Sequence, residues 1–482
     1  MDDLKVKAKI ALIWVLFGKI AKLGMGFVIS IFLARLLELS DFGLVAMIMV
    51  IVVMADVFTD IGLGAALIQR RKLHKAHYSS VFYFNAFIGS ILTIITFFSA
   101  NQISIFYNND ALVPITKAIS FSFIIGALGS VQTIRLRKEL NYKLITKLSF
   151  TSSLISGIVG ISMAFYGAGV WSLVTQQLVG SSLYTIFVWS SSKWRPGFLF
   201  SLKALMQLWA FGFRMFFVDL LGAVVLRLDI IIIGKIFTAT TLGFYQRGKS
   251  LNELVIRTAA EPLMKLSFPV LSKIQNDLPR MQNAIIKLSG IVIFITFLIM
   301  SEMYLLAEEL IVLIFSDKWL PSVTYFQILV MSGIFFPINI LLINVLSSRG
   351  NSKAYLRMAI LKKTLNLLNL YVGFQLGIEG FLYGLILVEF INTIITILFV
   401  SREISLSFKL LFQPIILQLA ISSSAVLATI FLVQNMDFGN LLSLIIKSLI
   451  FASIYFIISW LMKTSSYIYF IEESMPLIKK KI

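Results

Sequence analysis

An all-α, polytopic membrane protein of about fourteen transmembrane helices is the fold this 482-residue sequence predicts, on three observations. Composition comes first: 59% of residues are hydrophobic and 13% charged, where a water-soluble domain runs about 45–50% and about 25%. A mean hydropathy of +0.93 over such a length requires a bilayer as solvent. Second, stretches of about 20 apolar residues recur along the chain, each enough to cross roughly 30 Å of hydrocarbon. Third, Lys and Arg concentrate in every second connecting segment.

The predicted spans run 10–37, 42–68, 80–100, 113–134, 145–166, 170–190, 208–237, 242–270, 285–307, 322–346, 355–376, 380–400, 412–433 and 441–462. Polar or charged breaks separate them: Asp41, the Arg70 to Lys75 run, Asn108-Asn109-Asp110, the Arg135 to Lys147 cluster, Gly167 to Gly169, and then Lys193-Trp194-Arg195-Pro196-Gly197. In the second half Thr241, Lys273 to Lys287, Asp317-Lys318, Arg349 to Lys353, Gly377 to Gly380, Arg402 to Lys409 and the loop before 441 do the same. The N-terminal segment and each alternate segment after it, with their helix ends, hold 29 Lys and Arg; the others hold 6. Basic loops stay in the cytoplasm, so both termini are expected there. The collar also explains the net charge of +19 through anionic lipid, with no role for nucleic acid. The apolar stretch after Lys9 is too long for a signal peptide and is expected to remain as the first helix.

A repeat lies within the chain at an offset of about 200 to 210. Leu33-Ala34-Arg35-Leu36-Leu37 matches Ile233-Gly234-Lys235-Ile236-Phe237, and Asp41-Phe42-Gly43 matches Thr241-Leu242-Gly243. Phe106 to Pro114 matches Phe315 to Pro321, and Tyr166 to Gly169 matches Leu376 to Gly380. Two parallel six-helix repeats follow: 1–190 as an N-terminal lobe, 191–207 as a cytoplasmic linker, 208–400 as a C-terminal lobe, and 401–482 as two further helices with a basic tail. Transporters with such repeats bind substrate between the halves.

Ionisable groups in mid-membrane cost roughly 2.5–3.5 kcal/mol each on insertion scales and usually face a cavity or a partner. Here they collect in repeat-equivalent spans: Lys19 and Lys22 in the first, Asp56 and Asp60 in the second, Arg214, Asp219, Arg227 and Asp229 in the seventh, and Glu253, Arg257, Glu261 and Lys265 in the eighth. Spacings of three and four place each of the first two pairs on one helical face. At about 100° per residue Arg214 groups with Asp229, and Asp219 with Arg227. The alternating charges of the eighth span can equally neutralise one another along the helix. Asp56, Asp60, Asp219 and Glu389 have the depth expected of coupling or gating carboxylates, or of partners in buried ion pairs.

Other signals are absent or misleading. With no Cys and two His, thiolate and His-rich metal sites are excluded, and no cofactor is expected. Gly243 to Ser250 fits G-x-x-x-x-G-K-S, yet it opens a membrane helix rather than joining a strand to a helix, which argues against nucleotide binding. His74 and His77 lie in a basic loop. Gly373 to Gly377 and Gly380 to Gly384 fit G-x-x-x-G, which permits close helix approach. The extramembrane segments are too short for a globular catalytic domain.

Several runs resemble a known family: Leu33 to Leu44, Asp60-Ile61-Gly62-Leu63-Gly64 through Gln69, Val81-Phe82-Tyr83-Phe84-Asn85, Gly169-Val170-Trp171-Ser172-Leu173-Val174 with Gln176-Gln177, Ser192 to Pro196, Gly243-Phe244-Tyr245-Gln246-Arg247, Phe268 to Lys273 and Lys318-Trp319-Leu320-Pro321. Together they are similar to bacterial polysaccharide flippases of the O-antigen (Wzx-like) type, in the multidrug/oligosaccharidyl-lipid/polysaccharide exporter superfamily. Gln246 stands where members usually carry Asn. The resemblance implies a V-shaped two-lobe transporter, not an enzyme, that flips a polyprenyl-diphosphate-linked oligosaccharide from the inner to the outer leaflet of the bacterial cytoplasmic membrane. It also implies a polysaccharide polymerase and chain-length machinery as partners. On this reading Lys19, Lys22, Arg214 and Arg257 compensate the diphosphate. The alternatives are a drug or cation exporter of the same fold, which wants an acidic cavity, and a membrane polysaccharide polymerase, which wants a large catalytic loop.

Overall fold

A computed structural model describes residues 2–70, 72–225, 227–259, 261–436 and 439–479. Helices account for its regular structure, with no strand among the described residues. The first are α1 (Asp2–Leu36), α2 (Leu39–Asp60), α3 (Leu63–Gln69), α4 (Lys75–Phe98), α5 (Ala100–Tyr107), α6 (Leu112–Lys138), α7 (Tyr142–Phe165) and α8 (Val170–Ser191). The linker leads to α9 (Leu202–Val225), α10 (Leu228–Ile236), α11 (Ala239–Ala259) and α12 (Glu261–Lys273). The rest are α13 (Leu278–Leu305), α14 (Ala307–Phe315), α15 (Ser322–Gly333), α16 (Phe335–Ser348), α17 (Ser352–Glu403), α18 (Phe408–Val433), α19 (Asn440–Leu461) and α20 (Ser465–Lys479).

Among the described residues, eleven stretches are long and apolar enough to cross a bilayer. The predicted spans 170–190, 242–270 and 355–376 also form helices but fall short of that apolarity. Their polar content is the reason: Gln176 and Gln177 in α8, the charges of α11, and Lys362 and Lys363 early in α17.

Three breaks or bends shape the packing. The second predicted span divides at Ile61 and Gly62, both in the left-handed region (φ 42° and 68°), because a Cβ on Gly62 would stand 2.2 Å from the Gly212 carbonyl oxygen of α9. The seventh divides into α9 and α10, which corrects the pairing of Arg214 with Asp229 and of Asp219 with Arg227: a face assignment at 100° per residue does not carry across a broken helix. Between the predicted spans 355–376 and 380–400, where a break is expected, α17 folds back on itself at Gly377 (φ 78°, ψ −177°), a conformation open essentially to glycine alone. Its two halves pack closely, with Gly384 against the Asn369 side chain and the Asn369 amide donating to the Phe381 carbonyl at 3.2 Å. This is the close approach that the G-x-x-x-G spacing allows.

The helices pack into two units, Met1–Gln246 and Arg247–Ile482. In the first, α4 and α8 flank α6, α7 lies between α1 and α8, and α2 packs on α6, α9 and α10. Lipid removes the hydrophobic drive between helices, so small residues and polar bridges hold them. Gly89 of α4 meets Ala127 of α6, and Gly129 of α6 meets Thr185 of α8. The Thr185 hydroxyl donates to the Ile125 carbonyl (3.0 Å), Trp189 Nε1 to Leu128 (2.7 Å), and the Asn85 amide to Ser130 Oγ (3.0 Å). Lys138 Nζ caps the end of α3 by donating to the carbonyls of Leu67 (2.6 Å) and Arg70 (2.7 Å).

Two glycines 200 residues apart in the sequence also interlock within this unit. A Cβ on Gly43 would lie 1.8 Å from the Ala239 carbonyl oxygen, and one on Gly243 would lie 2.4 Å from that of Leu39. The two contacts, 43 with 239 and 243 with 39, exchange with one another under an offset of 200.

In the second unit α13 packs on α18 and α20, α15 and α16 on α17, and α14 and α18 on α19. Glu309 of α14 is held by Lys447 and by Ser443 Oγ (2.9 Å) of α19. Arg247 is buried between the rings of Phe315 (4.5 Å) and Trp319 (4.7 Å), which brings two of the family-like motifs together. The stretch that mimics a P-loop is continuous helix within α11.

Candidate functional site

In the first unit a cavity of about 970 Å³ opens between α1, α2, α6, α7 and α8. Lys19, Lys22 and Asp56 line it, together with Arg137 near the end of α6. Lys22, Asp56 and Arg137 are exposed to it and Lys19 is half-buried. Three cations against one carboxylate leave this lining net basic.

Two contacts fix how α1 presents the lysines. Gly18 packs on Thr146 and Gly157 on Ile29, so the pairing holds a constant separation of 128 residues and α1 runs parallel to α7. The Thr146 hydroxyl donates to the Trp14 carbonyl at 3.2 Å, anchoring the same register. Lys19 therefore lies level with Lys147 and Lys22 with Phe150, at the end of the unit where the Arg135 to Lys147 cluster sits. Along α7 the cavity wall continues through Ser149, Ser152, Ser153 and Ser156.

The other expected residues fall elsewhere. Arg214 and Asp219 are exposed on α9, outside this lining; Arg214 Nε donates to its own helix at Ala210 O (2.8 Å). The side chains of Asp60 and Arg257 lie outside the described residues. Glu389 belongs to the second unit, half-buried on α17, and accepts from the Asn392 amide at 3.3 Å. Around it runs a polar network that the sequence reading missed: Lys362 Nζ donates to Asn339 Oδ1 (3.0 Å) and Thr396 Oγ1 (3.1 Å), and the Asn339 amide to Thr393 Oγ1 (2.9 Å). Arg137 was missed as a lining residue because its position among collar basics gave it an ordinary explanation. The serine face of α7 was legible as a spacing of three, four and seven, but serines in a membrane helix read first as packing residues.

No group of three or more His, Cys, Asp or Glu gathers among the described residues. His77 is engaged otherwise, its Nδ1 accepting from the His74 backbone N–H (3.2 Å) and its Nε2 lying 3.1 Å from Gln207 Oε1. A second cavity of about 470 Å³ lies between the α5–α6 turn and the start of α11, with Tyr107, Asn108 and Lys235 in its wall.

A family model described as polysaccharide biosynthesis protein matches residues 32–324. The chain belongs to that family. Among curated relatives it is 24% identical over 397 residues to the lipopolysaccharide biosynthesis protein WzxC of Escherichia coli (strain K12), covering 80% of this chain and 78% of the relative. It is 21% identical over 308 residues to the succinoglycan biosynthesis transport protein ExoT of Rhizobium meliloti (strain 1021), covering 64% and 62%. Its fold is similar to that of the lipid II flippase MurJ in an inward closed conformation, at a TM-score of 0.68 and 16% identity over 94% of this chain and 100% of that one. It is also similar to an inward-facing multidrug resistance MATE family transporter of the MOP superfamily, at 0.63 and 13% over 82% and 98%. The likeness establishes the membrane-transporter fold that the sequence predicts.

Proposed function

We propose that the protein is a flippase that moves a polyprenyl-diphosphate-linked oligosaccharide, such as an O-antigen, capsular or exopolysaccharide repeat unit, from the inner to the outer leaflet of the bacterial cytoplasmic membrane. The observation that carries the reading is the basic cavity of the first unit. A diphosphate needs cations around it once it leaves water, because an unpaired charge in a low-dielectric site is costly, and Lys19, Lys22 and Arg137 supply them. Arg214 and Arg257 are proposed as further contacts along the route, and Asp56, Asp60, Asp219 and Glu389 as gating or coupling carboxylates. The polyprenyl tail stays in lipid. The names of the polysaccharide relatives and of the lipid II flippase support this substrate class.

Both termini face the cytoplasm in this account, as the 29-to-6 distribution of basic residues indicates. The membrane potential then drives transport, releasing about 2.3 kcal/mol per 100 mV for each negative charge moved outward, and no nucleotide is consumed. A polysaccharide polymerase and its chain-length machinery take up the product. The drug-exporter reading wants an acidic cavity, and the lining described above has the opposite sign.

The test is to replace Lys19 and Lys22 together by Glu and assay polysaccharide export in a strain lacking the native chain. Export should fall at least tenfold with the variant present in the membrane at the native level. Unchanged export removes the lysine pair from the mechanism.

A further inference from the structure

We propose that the wall of this cavity formed by α7 and α8 is a glycan subsite, which holds uncharged sugar residues of the substrate while the Lys19, Lys22 and Arg137 end holds the diphosphate. The assignment rests on the flippase reading above.

The chemistry of the wall changes along its length. From Ser149 to Ser156 the lining of α7 rises seven residues, about 10 Å at the helical repeat, and carries hydroxyls without a formal charge. Opposite, α8 contributes Gln176 and Gln177. Neither side-chain amide hydrogen-bonds a described residue of the chain, and both are half-buried. Helices in lipid approach through small residues, and here Gly160 and Gly180 make that approach: a Cβ on Gly160 would stand 3.0 Å from Gln176 Cβ and one on Gly180 3.2 Å from Ser156 Oγ, leaving the ends of the two glutamine side chains to the cavity. Two adjacent half-buried amides on the cavity wall offer donors and acceptors to whatever enters it.

The hydroxyls are oriented for the same task. Ser152 Oγ donates to the Ser149 carbonyl (3.0 Å) and Ser156 Oγ to that of Ser153 (3.2 Å). With their hydrogens committed to the backbone, these buried hydroxyls keep only acceptor capacity on the cavity wall, while each glutamine amide offers two donors and an acceptor. Sugars present dense hydroxyls that both donate and accept, and such a wall matches them. An acidic sugar would call for a cation on the wall, and the described lining of this stretch has none. Because Lys19 and Lys22 lie level with 147 and 150, at the foot of the serine stretch, the sugars nearest the diphosphate extend from the basic-collar end toward the middle of the bundle.

The test compares two probes on the purified full-length chain in lipid nanodiscs: undecaprenyl diphosphate, and the undecaprenyl-diphosphate-linked repeat unit extracted from the host strain lacking this chain. Wild type should bind the repeat unit at least tenfold more tightly. The double variant Gln176→Leu/Gln177→Leu should lose that tenfold preference and keep its affinity for undecaprenyl diphosphate. Ser149→Ala/Ser153→Ala provides a milder change if the first variant does not fold, with the same direction expected. Lys19→Ala/Lys22→Ala should weaken both probes. Wall variants that retain the preference, or that weaken both probes equally, overturn the glycan subsite and leave the flippase reading standing. A wild-type chain that binds neither probe overturns the flippase reading and the subsite with it.

Discussion

Adding one methyl group at Gly43 tests the reciprocal glycine contact between α2 and α11. The Cβ would lie 1.8 Å from the Ala239 carbonyl oxygen, where real Cβ atoms essentially never come within 3.0 Å. The first turns of α2 and α11 must therefore separate by at least 1.2 Å, the difference of those two distances, and the obstacle is backbone that no rotamer change removes. Forcing volume into a packed contact costs about 1–3 kcal/mol, which corresponds to a fall of roughly 2–6 °C in the unfolding midpoint of a unit the size of Met1–Gln246. Gly243→Ala, at 2.4 Å from the Leu39 carbonyl, should cost somewhat less. Because one separation relieves both clashes, the double variant should cost less than the two single ones together, a coupling that a double-mutant cycle measures. Gly126→Ala serves as the control, since nothing lies within 4 Å of its Cβ position and alanine is favoured there by about 0.5–1 kcal/mol. The assay is thermal unfolding of detergent-purified protein. A Gly43→Ala midpoint within a degree of wild type refutes the contact, and strict additivity with Gly243→Ala refutes its reciprocity.

Further outcomes follow from particular contacts. Lys447→Met leaves the Glu309 carboxylate buried without its cation and should cost about 3–5 kcal/mol; pairing it with Glu309→Gln should recover most of the loss in the same unfolding assay. Gly377→Ala places a side chain at φ 78°, ψ −177° and should cost about 1–3 kcal/mol, seen as a lowered midpoint and faster amide exchange around the α17 bend. Lys138→Met removes two charged hydrogen bonds to the end of α3, and limited proteolysis should then cut the 70–75 connection at least several-fold faster. Equal cutting rates would show that this cap is dispensable.

The span pattern was legible because the bilayer demands long apolar runs, and hydropathy reports them directly. Breaks inside a span were not. Ile61 carries no mark of the positive φ it adopts where α9 approaches Gly62. Such bends are set by partners distant in sequence. Lys19, Lys22 and Asp56 could be picked out together because an ionisable residue is costly in lipid wherever it stands, and the structure brings all three to one cavity. The same rule could not say that Arg214 and Asp219 would lie on an exposed part of α9, nor that Glu389 would have Asn392 as a partner. It also passed over Lys362, whose partners Asn339 and Thr396 lie 23 and 34 residues away, and over serines and glutamines whose function depends on which helix they face.

Deleting the gene in its own host and determining which lipid-linked intermediate accumulates, and in which leaflet, decides between a flippase and its rivals. A complete polyprenyl-diphosphate repeat unit stranded in the inner leaflet is the predicted result. An incomplete glycan, finished single units in the outer leaflet, or no accumulation in a strain free of any second flippase would each contradict it.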